Sequence, residues 1–364
     1  LIIFLSYFPV NKFTTPKIYR SLENSHYNCF AMNIIFLFFI FLLASFTAIK
    51  LTLILSILLF LYIFLFYLNY KNIYYEVISK DNFSLKLFFL IINLFFFFNS
   101  SYNLKLGWDA LSIWIFKVNN FYNGNDYFFL FSEGFTHKNY PHLGSYVWAF
   151  FWKNSLFQKE YFGRLFYDYI YLLSIFILSD SFKNVSNFWK LTIFFIIVAS
   201  SIYHQNEFNG YQEYLLFSLL IFCGKLFLII NSKKKFLHIN FLFFVLILLT
   251  IIIPWIKNEG IFYSLFIGLI FLLTNQSIYK KVTFIVTIAT NIIIQIFIIK
   301  YFFSINNIFQ FSLDINNLLK NLHFEELFLR LSSTTLYLLY ASTKYLLVLF
   351  NMLIIIYIIK KKIF

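Results

Sequence analysis

Carboxylates are scarce in this chain, only 15 Asp and Glu among 364 residues, and many stand in short polar turns between long apolar runs. Four such turns stand out: Gly107-Trp108-Asp109-Ala110, His137-Lys138-Asn139-Tyr140-Pro141-His142, Glu207-Phe208-Asn209-Gly210-Tyr211-Gln212-Glu213, and Lys257-Asn258-Glu259-Gly260. Ionisable groups close to hydrocarbon are costly, so their gathering marks a site. A carboxylate in such a place can take a proton from a hydroxyl, and a lysine beside it can hold an anion. Asp109 is the choice for general base. Trp108, Lys117, His137, Tyr140, His142, Glu207, Glu213, Lys257, Glu259, Arg330 and Lys344 are the surrounding binding residues.

Plainer readings stand beside each. Asp109 can cap the helix it opens, because aspartate accepts backbone N–H bonds there. Glu259-Gly260 can be a hairpin turn and no more, and His137 and His142 can be ordinary loop histidines. Arg164 and Asp168, four apart, suit a mutual ion pair better than chemistry. Lys225 and Lys344 can snorkel towards the water, although Lys344, one turn below the surface, can also hold an anion. Cys29 and Cys223 lack ligand-type neighbours and read as inert thiols. No phosphate-binding glycine loop, dinucleotide fingerprint or hydrolase motif occurs.

The elements that must position these turns follow from composition. Hydrophobic residues make up 61% of the chain and charged residues 12%. A water-soluble domain carries about a quarter charged residues, so this chain has polar residues enough for loops and not for a wetted surface. Spans of roughly 20 apolar residues fall near 33–49, 51–69, 86–103, 162–179, 188–203, 212–230, 238–256, 260–274, 282–303 and 332–359. The expectation is an all-α polytopic membrane protein of about ten transmembrane helices, within a range of eight to twelve. Residues 1–32 read as a cytoplasmic segment, which either continues an upstream start or precedes one near Met32. Residues 33–364 read as a single transmembrane domain.

Whether 141–157 crosses decides which loops share a side. If it does not cross, 16 of the 29 Lys and Arg, including 233–235 and 360–362, fall on the side of the amino terminus, and ten of the 15 acids fall on the other. Basic residues collect in cytoplasmic loops, so both chain ends read as cytoplasmic and 104–161 as a long outer loop. Within that loop, 141–157, with Trp148 and Trp152, reads as a helix lying in the interface at headgroup depth. The net charge of +14 is thus an orientation signal and no footprint of nucleic acid.

The arrangement resembles the GT-C glycosyltransferases, the polytopic superfamily of protein mannosyltransferases and lipid A aminoarabinose transferases. The resemblance rests on G-W-D-A-L-S-I-W-I-F-K at 107–117, H-K-N-Y-P-H-L at 137–143 and Gly163-Arg164-Leu165. Weaker echoes are 210–213, where the family more usually has aspartate in place of Glu213, and 257–260. Two extra spans before the catalytic loop, and no large soluble domain after the last span, depart from the pattern. The resemblance implies inverting transfer of a sugar from a polyprenyl-phosphate donor to a glycan, lipid or protein acceptor, at the outer face of the plasma membrane, the inner membrane of a bacterial envelope. It implies Asp109 as base, Glu213 or Glu259 positioning hydroxyls, and Lys257, Arg330 or Lys344 at the phosphate. Some family members hold a divalent ion near the first-loop acid. Oxygen ligands would suit magnesium or manganese, and the residues leave open whether either is bound. A transporter of lipid-linked glycan, a glycan polymerase or ligase, and a non-catalytic membrane subunit are the competing readings.

The charge distribution makes a direct prediction. Cysteines introduced at positions 125, 208 and 320 react with an impermeant thiol reagent applied from outside, and one at 234 does not. Labelling at 234 with protection at 125 would reverse the orientation.

Overall fold

The structure is a computed structural model that describes residues 26–78, 83–102, 105–131, 140–182, 185–203, 209–230, 239–274, 276–303 and Ser332. Every regular element among them is helical: α1 (His26–Ser45), α2 (Leu51–Ile78), α3 (Phe83–Tyr102), α4 (Ile115–Tyr122), α5 (Leu143–Lys153), α6 (Tyr161–Asp180), α7 (Asn187–Tyr203), α8 (Glu213–Ile230), α9 (Ile239–Ile252), α10 (Gly260–Leu272) and α11 (Ile278–Phe303). Helices are what apolar surroundings demand, because every backbone N–H and C=O must then find its partner within the chain. Three stretches, Tyr161–Ser179, Glu213–Ile230 and Ile278–Ile298, are long and apolar enough to cross a membrane. Shorter apolar helices lie at or within most of the other expected spans. The expected span 332–359 and the loop 304–331 lie outside the described residues, apart from Ser332.

α6 is the hub. It packs against α1, α3, α5, α7 and α8, and its apolar side chains from Phe166 to Ile177 are buried. Its small polar residues do not leave groups bare, since Ser174 Oγ donates to the Tyr171 carbonyl at 2.7 Å and Ser179 Oγ to Phe176 at 2.8 Å.

The bundle has two distinguishable ends. At one, Arg164 Nη1 at the start of α6 donates to the Lys105 carbonyl just beyond α3, at 3.3 Å. At the other, Lys225 Nζ of α8 donates to Ser181 Oγ beyond α6, at 3.0 Å, and Gln276 Nε2 reaches the Ile230 carbonyl at 3.4 Å. The end of α3 and the start of α6 therefore meet, and the chain between them does not change ends.

α5 lies in that intervening stretch. Its 11 residues extend about 16 Å at roughly 1.5 Å per residue, well short of a bilayer's hydrocarbon. Its placement corrects one expectation. Trp148 does not lie at a surface suited to headgroups; it is wholly buried, edge-on to Tyr167 at 6.0 Å. The reason is that α5 is packed by α1, α2, α4 and α6 at once, which buries Leu143 to Phe151 without a break. Trp152, by contrast, keeps a partly open position, with its indole N–H donating to the Gln158 carbonyl at 2.8 Å. A second correction concerns the amino-terminal boundary. α1 starts at His26, and Ala31 and Met32 are core residues, so 26–32 belong to the bundle.

Proline determines where α9 stops. Pro254 has no N–H to give to the carbonyl four residues back and its ring crowds it. That carbonyl, on Thr250, instead accepts from Ser264 Oγ of α10 at 3.0 Å. The last turn tightens into a 3-10 turn, Ile253–Trp255. α11 satisfies the freed groups: Asn291 Nδ2 donates to the Ile251 carbonyl at 3.1 Å, Gln295 Nε2 to Pro254 at 2.9 Å, and Trp255 Nε1 to Asn291 Oδ1 at 3.1 Å. The chain then reverses through 257–260, and a Cβ at Gly260 would stand 2.3 Å from the Ile253 carbonyl oxygen.

Gly260→Ala should therefore force backbone apart and cost about 1–3 kcal/mol, as overpacking does. Gly224→Ala on α8, where a Cβ meets nothing within 4 Å, should gain up to about 1 kcal/mol from helix propensity. Thermal unfolding in detergent should show the first midpoint lowered and the second unchanged or raised. Equal midpoints would remove the reversal's dependence on glycine.

Candidate functional site

The described parts of the four polar turns meet at the α3/α6 end of the bundle. Gly107 N–H donates to the Asn209 carbonyl at 2.9 Å, joining the first turn to the third. The approach is so close that a Cβ on Gly107 would fall 2.2 Å from the Tyr211 ring. Gly210 has φ +88°, in the left-handed region that glycine enters without penalty, and a Cβ there would strike the Trp148 ring at 2.6 Å. The first turn of α5, directly after the second polar turn, is tied to the third through α6: Tyr167 Oη donates to the Gly144 carbonyl at 2.7 Å, and Gln212 Nε2 donates to Tyr167 Oη at 2.8 Å. The fourth is tied to the third by an ion pair, with Lys257 Nζ on Glu213 Oε1 and 3.5 Å from Glu259 Oε1.

Asp109 sits at the junction of the chain's entry into the site and a π-helical turn, Ala110–Trp114, followed by α4. Its side chain makes no capping bond to that turn, so the plain reading of Asp109 as a helix cap does not describe it. The π turn inserts one extra residue, a distortion frequent where function requires a side chain re-aimed. Trp108 beside it is 71% exposed. Tyr140 is half-buried in a field set by Glu259, Lys257, Asp109 and Glu213. Burial first, then Glu259, holds its hydroxyl above the ordinary tyrosine value, so the phenol stays a neutral donor. For Lys257 burial is the largest single influence and favours the neutral amine. The hydrogen bond and charge of Glu213, followed by Glu259 and Asp109, outweigh it and keep the ammonium charged.

Two other expected site residues lie behind this front. Lys117 is 1% exposed and donates to the Tyr140 carbonyl, with its ammonium 6.0 Å from the Trp114 ring centre. Burial pulls its pKa from 10.5 down to about 7. His142 is wholly buried and stacked on Tyr127 at 3.9 Å between ring centres. Ser45 Oγ gives its proton to the Leu42 carbonyl at 2.7 Å, so it accepts from His142 Nε2 at 2.6 Å and leaves Nδ1 bare. Burial, and then the charge of Lys117, push the imidazole well below its ordinary value, so it is neutral. Both residues fix the second turn against α1 and α4. His137, Glu207, Arg330 and Lys344 lie outside the described residues.

Arg164 pairs with a carboxylate that the sequence reading did not single out. Its Nε and Nη2 fork onto Glu160 at 2.9 and 3.0 Å, one helical turn N-terminal. Three positioning residues carried no signal of their own in the sequence: Ser45, Tyr167 and Gln212. Only Gln212 stood inside a polar turn.

The donor set does not suit a resident magnesium or manganese ion. Such an ion wants several oxygens closing on one point, and here an ammonium already stands between Glu213 and Glu259. Among the described residues no three His, Cys, Asp or Glu side chains gather closely enough to hold a metal. Compared with family models, curated proteins and solved structures, the chain finds no match.

The buried amine gives a pH signature. Unfolded, Lys117 releases its proton near pH 10.5; folded, it does so near pH 7. Between these values the unfolded chain holds the extra proton, so stability rises with pH, by up to about 1.4 kcal/mol per unit. Thermal midpoints should climb from pH 7 towards 9, and Lys117→Met should flatten that climb. A wild-type protein with no such climb would contradict a neutral buried amine.

Proposed function

We propose that this protein is a membrane glycosyltransferase that moves a sugar from a polyprenyl-phosphate donor to an acceptor hydroxyl at the outer membrane face. One observation carries the reading. Asp109, Tyr140, Glu213, Lys257 and Glu259, drawn from four separate turns, share one end of an apolar helical bundle. That is the place where a lipid-borne donor and a water-borne acceptor can meet. The motif resemblance at 107–117, 137–143 and 163–165 points the same way, to a GT-C architecture of about ten spans with both ends cytoplasmic.

The chemistry needs few parts. The acceptor O–H loses its proton to the Asp109 carboxylate as its oxygen bonds to the anomeric carbon. On the opposite face the bond from that carbon to the phosphate oxygen breaks, and the electron pair leaves with the lipid phosphate. Configuration inverts. Glu213 and Glu259 accept hydrogen bonds from sugar hydroxyls, and the neutral Tyr140 hydroxyl donates one. Transfer is favoured over transport because the embedded charges among the described residues do not form a path. Arg164 and Asp168 stand near the first turns of α6, and Lys225 lies towards the other end with Ser181.

The test is transfer of radiolabelled sugar from a panel of polyprenyl-phosphate donors by membranes carrying the protein. Asp109→Asn keeps the side chain's size and removes its basicity. It should lower the rate about 100- to 10,000-fold, as general-base losses do, with the thermal midpoint little changed because no cap is lost. Near wild-type transfer by purified Asp109→Asn would remove Asp109 from the mechanism.

A further inference from the structure

An ammonium group flanked by two carboxylates stands at the centre of the site, and it is the place a divalent cation would take in an acid-lined sugar-transfer site. We infer that Lys257 is this site's built-in cation: its ammonium does the neutralising work of a metal ion for Glu213 and Glu259, and the site operates without one. The inference deepens the transferase reading and rests on it for its activity arm alone.

The geometry gives three reasons. Lys257 Nζ donates to Glu213 Oε1 and lies 3.5 Å from Glu259 Oε1, so its charge is shared between two carboxylates. A metal cannot bind the same oxygens without displacing an ammonium that is tethered covalently and so present at high effective concentration. Second, the lysine is held in place. Its side chain is 12% exposed, whereas those of Glu213 and Glu259 are 46% and 55% exposed. The cation is thus the inner group and the acids the outer ones, the layering a bound ion would produce. Third, its position is set by rigid backbone. The turn that carries it follows the Pro254 break in α9, is closed by Gly260 N–H on the Lys257 carbonyl at 2.9 Å, and is packed where only glycine fits at 260. Glu213 in turn opens α8, where a negative charge is favoured by the helix's own N-terminal dipole.

The assignment changes the role expected of Lys257. Committed to two carboxylates, it organises the acids that hold sugar hydroxyls. The leaving phosphate then falls to other cations, for which Arg330 and Lys344 are the sequence's choices.

The experiment titrates Mn²⁺ into the purified full-length protein and follows the free ion by electron paramagnetic resonance. The wild type should leave Mn²⁺ free, and its sugar transfer should survive EDTA. Lys257→Ala should lose roughly tenfold or more in transfer, as loss of a preorganised charge does, and added propylammonium should restore part of it. Saturable Mn²⁺ uptake by the wild type that disappears in Glu213→Gln would overturn the inference, whether or not the protein transfers sugar. So would EDTA-abolished transfer restored by Mg²⁺. Should Lys257→Ala fail to fold, the wild-type titration with its Glu213→Gln control still decides the question.

Discussion

The structure depends on one constraint, that no backbone polar group be left bare in apolar surroundings, and the end of α9 shows how far the sequence goes to meet it. Pro254 must interrupt the helix so that the chain can turn through 257–260, and the interruption strands carbonyls on Thr250, Ile251 and Pro254. Each receives a side-chain donor from another helix, Ser264, Asn291 or Gln295. Ser264 stands in α10, and Asn291 and Gln295 stand in α11, both helices rich in apolar residues. An unpartnered group in such surroundings costs several kcal/mol, so their presence is explained by the break alone. Without them Lys257 would have no fixed place.

The same logic separates the polar residues at the site end into two sets. Lys117, His142, Tyr167 and Gln212 are buried, and each bonds a neighbouring segment of the site end. Asp109, Tyr140, Glu213 and Glu259 keep exposure, and Lys257 keeps a little. The first set has surrendered its reactivity to burial: the lysine tends to a neutral amine and the histidine is neutral outright. The second set keeps access to a ligand. Site residues picked by type alone mix the two sets, and burial divides them.

That division marks the limit of what the sequence can say. Helical character and the positions of most apolar helices follow from long apolar runs, whose signal does not depend on partners. The four polar turns are equally legible, because charged residues within so apolar a chain have few reasons to be there, and the structure brings the described parts of all four to one end. What could not be read is which neighbour each side chain meets. Trp148 carries the composition of an interfacial anchor, yet four helices close over it. His142 reads as a binding residue until Ser45, 97 positions away, takes its Nε2. Each of these outcomes is set by contacts distant in sequence, to which local spacing is blind.

Charge balance at the site indicates how the proposed chemistry must be divided. Among the described residues of the four turns, Asp109, Glu213 and Glu259 bring three carboxylates and Lys257 one ammonium, so that part of the face is negative on balance. Such a face suits hydroxyls, which donate to carboxylates, and suits the removal of a proton from an acceptor. It repels a phosphate. In the proposed reaction a departing lipid phosphate therefore calls for cations other than Lys257. Arg330 and Lys344 belong to the carboxy-terminal segment, separate in sequence from every turn that carries an acid. Displacement with inversion requires that base and leaving-group charge stand apart, since the attacking hydroxyl and the departing phosphate must occupy opposite faces of one carbon.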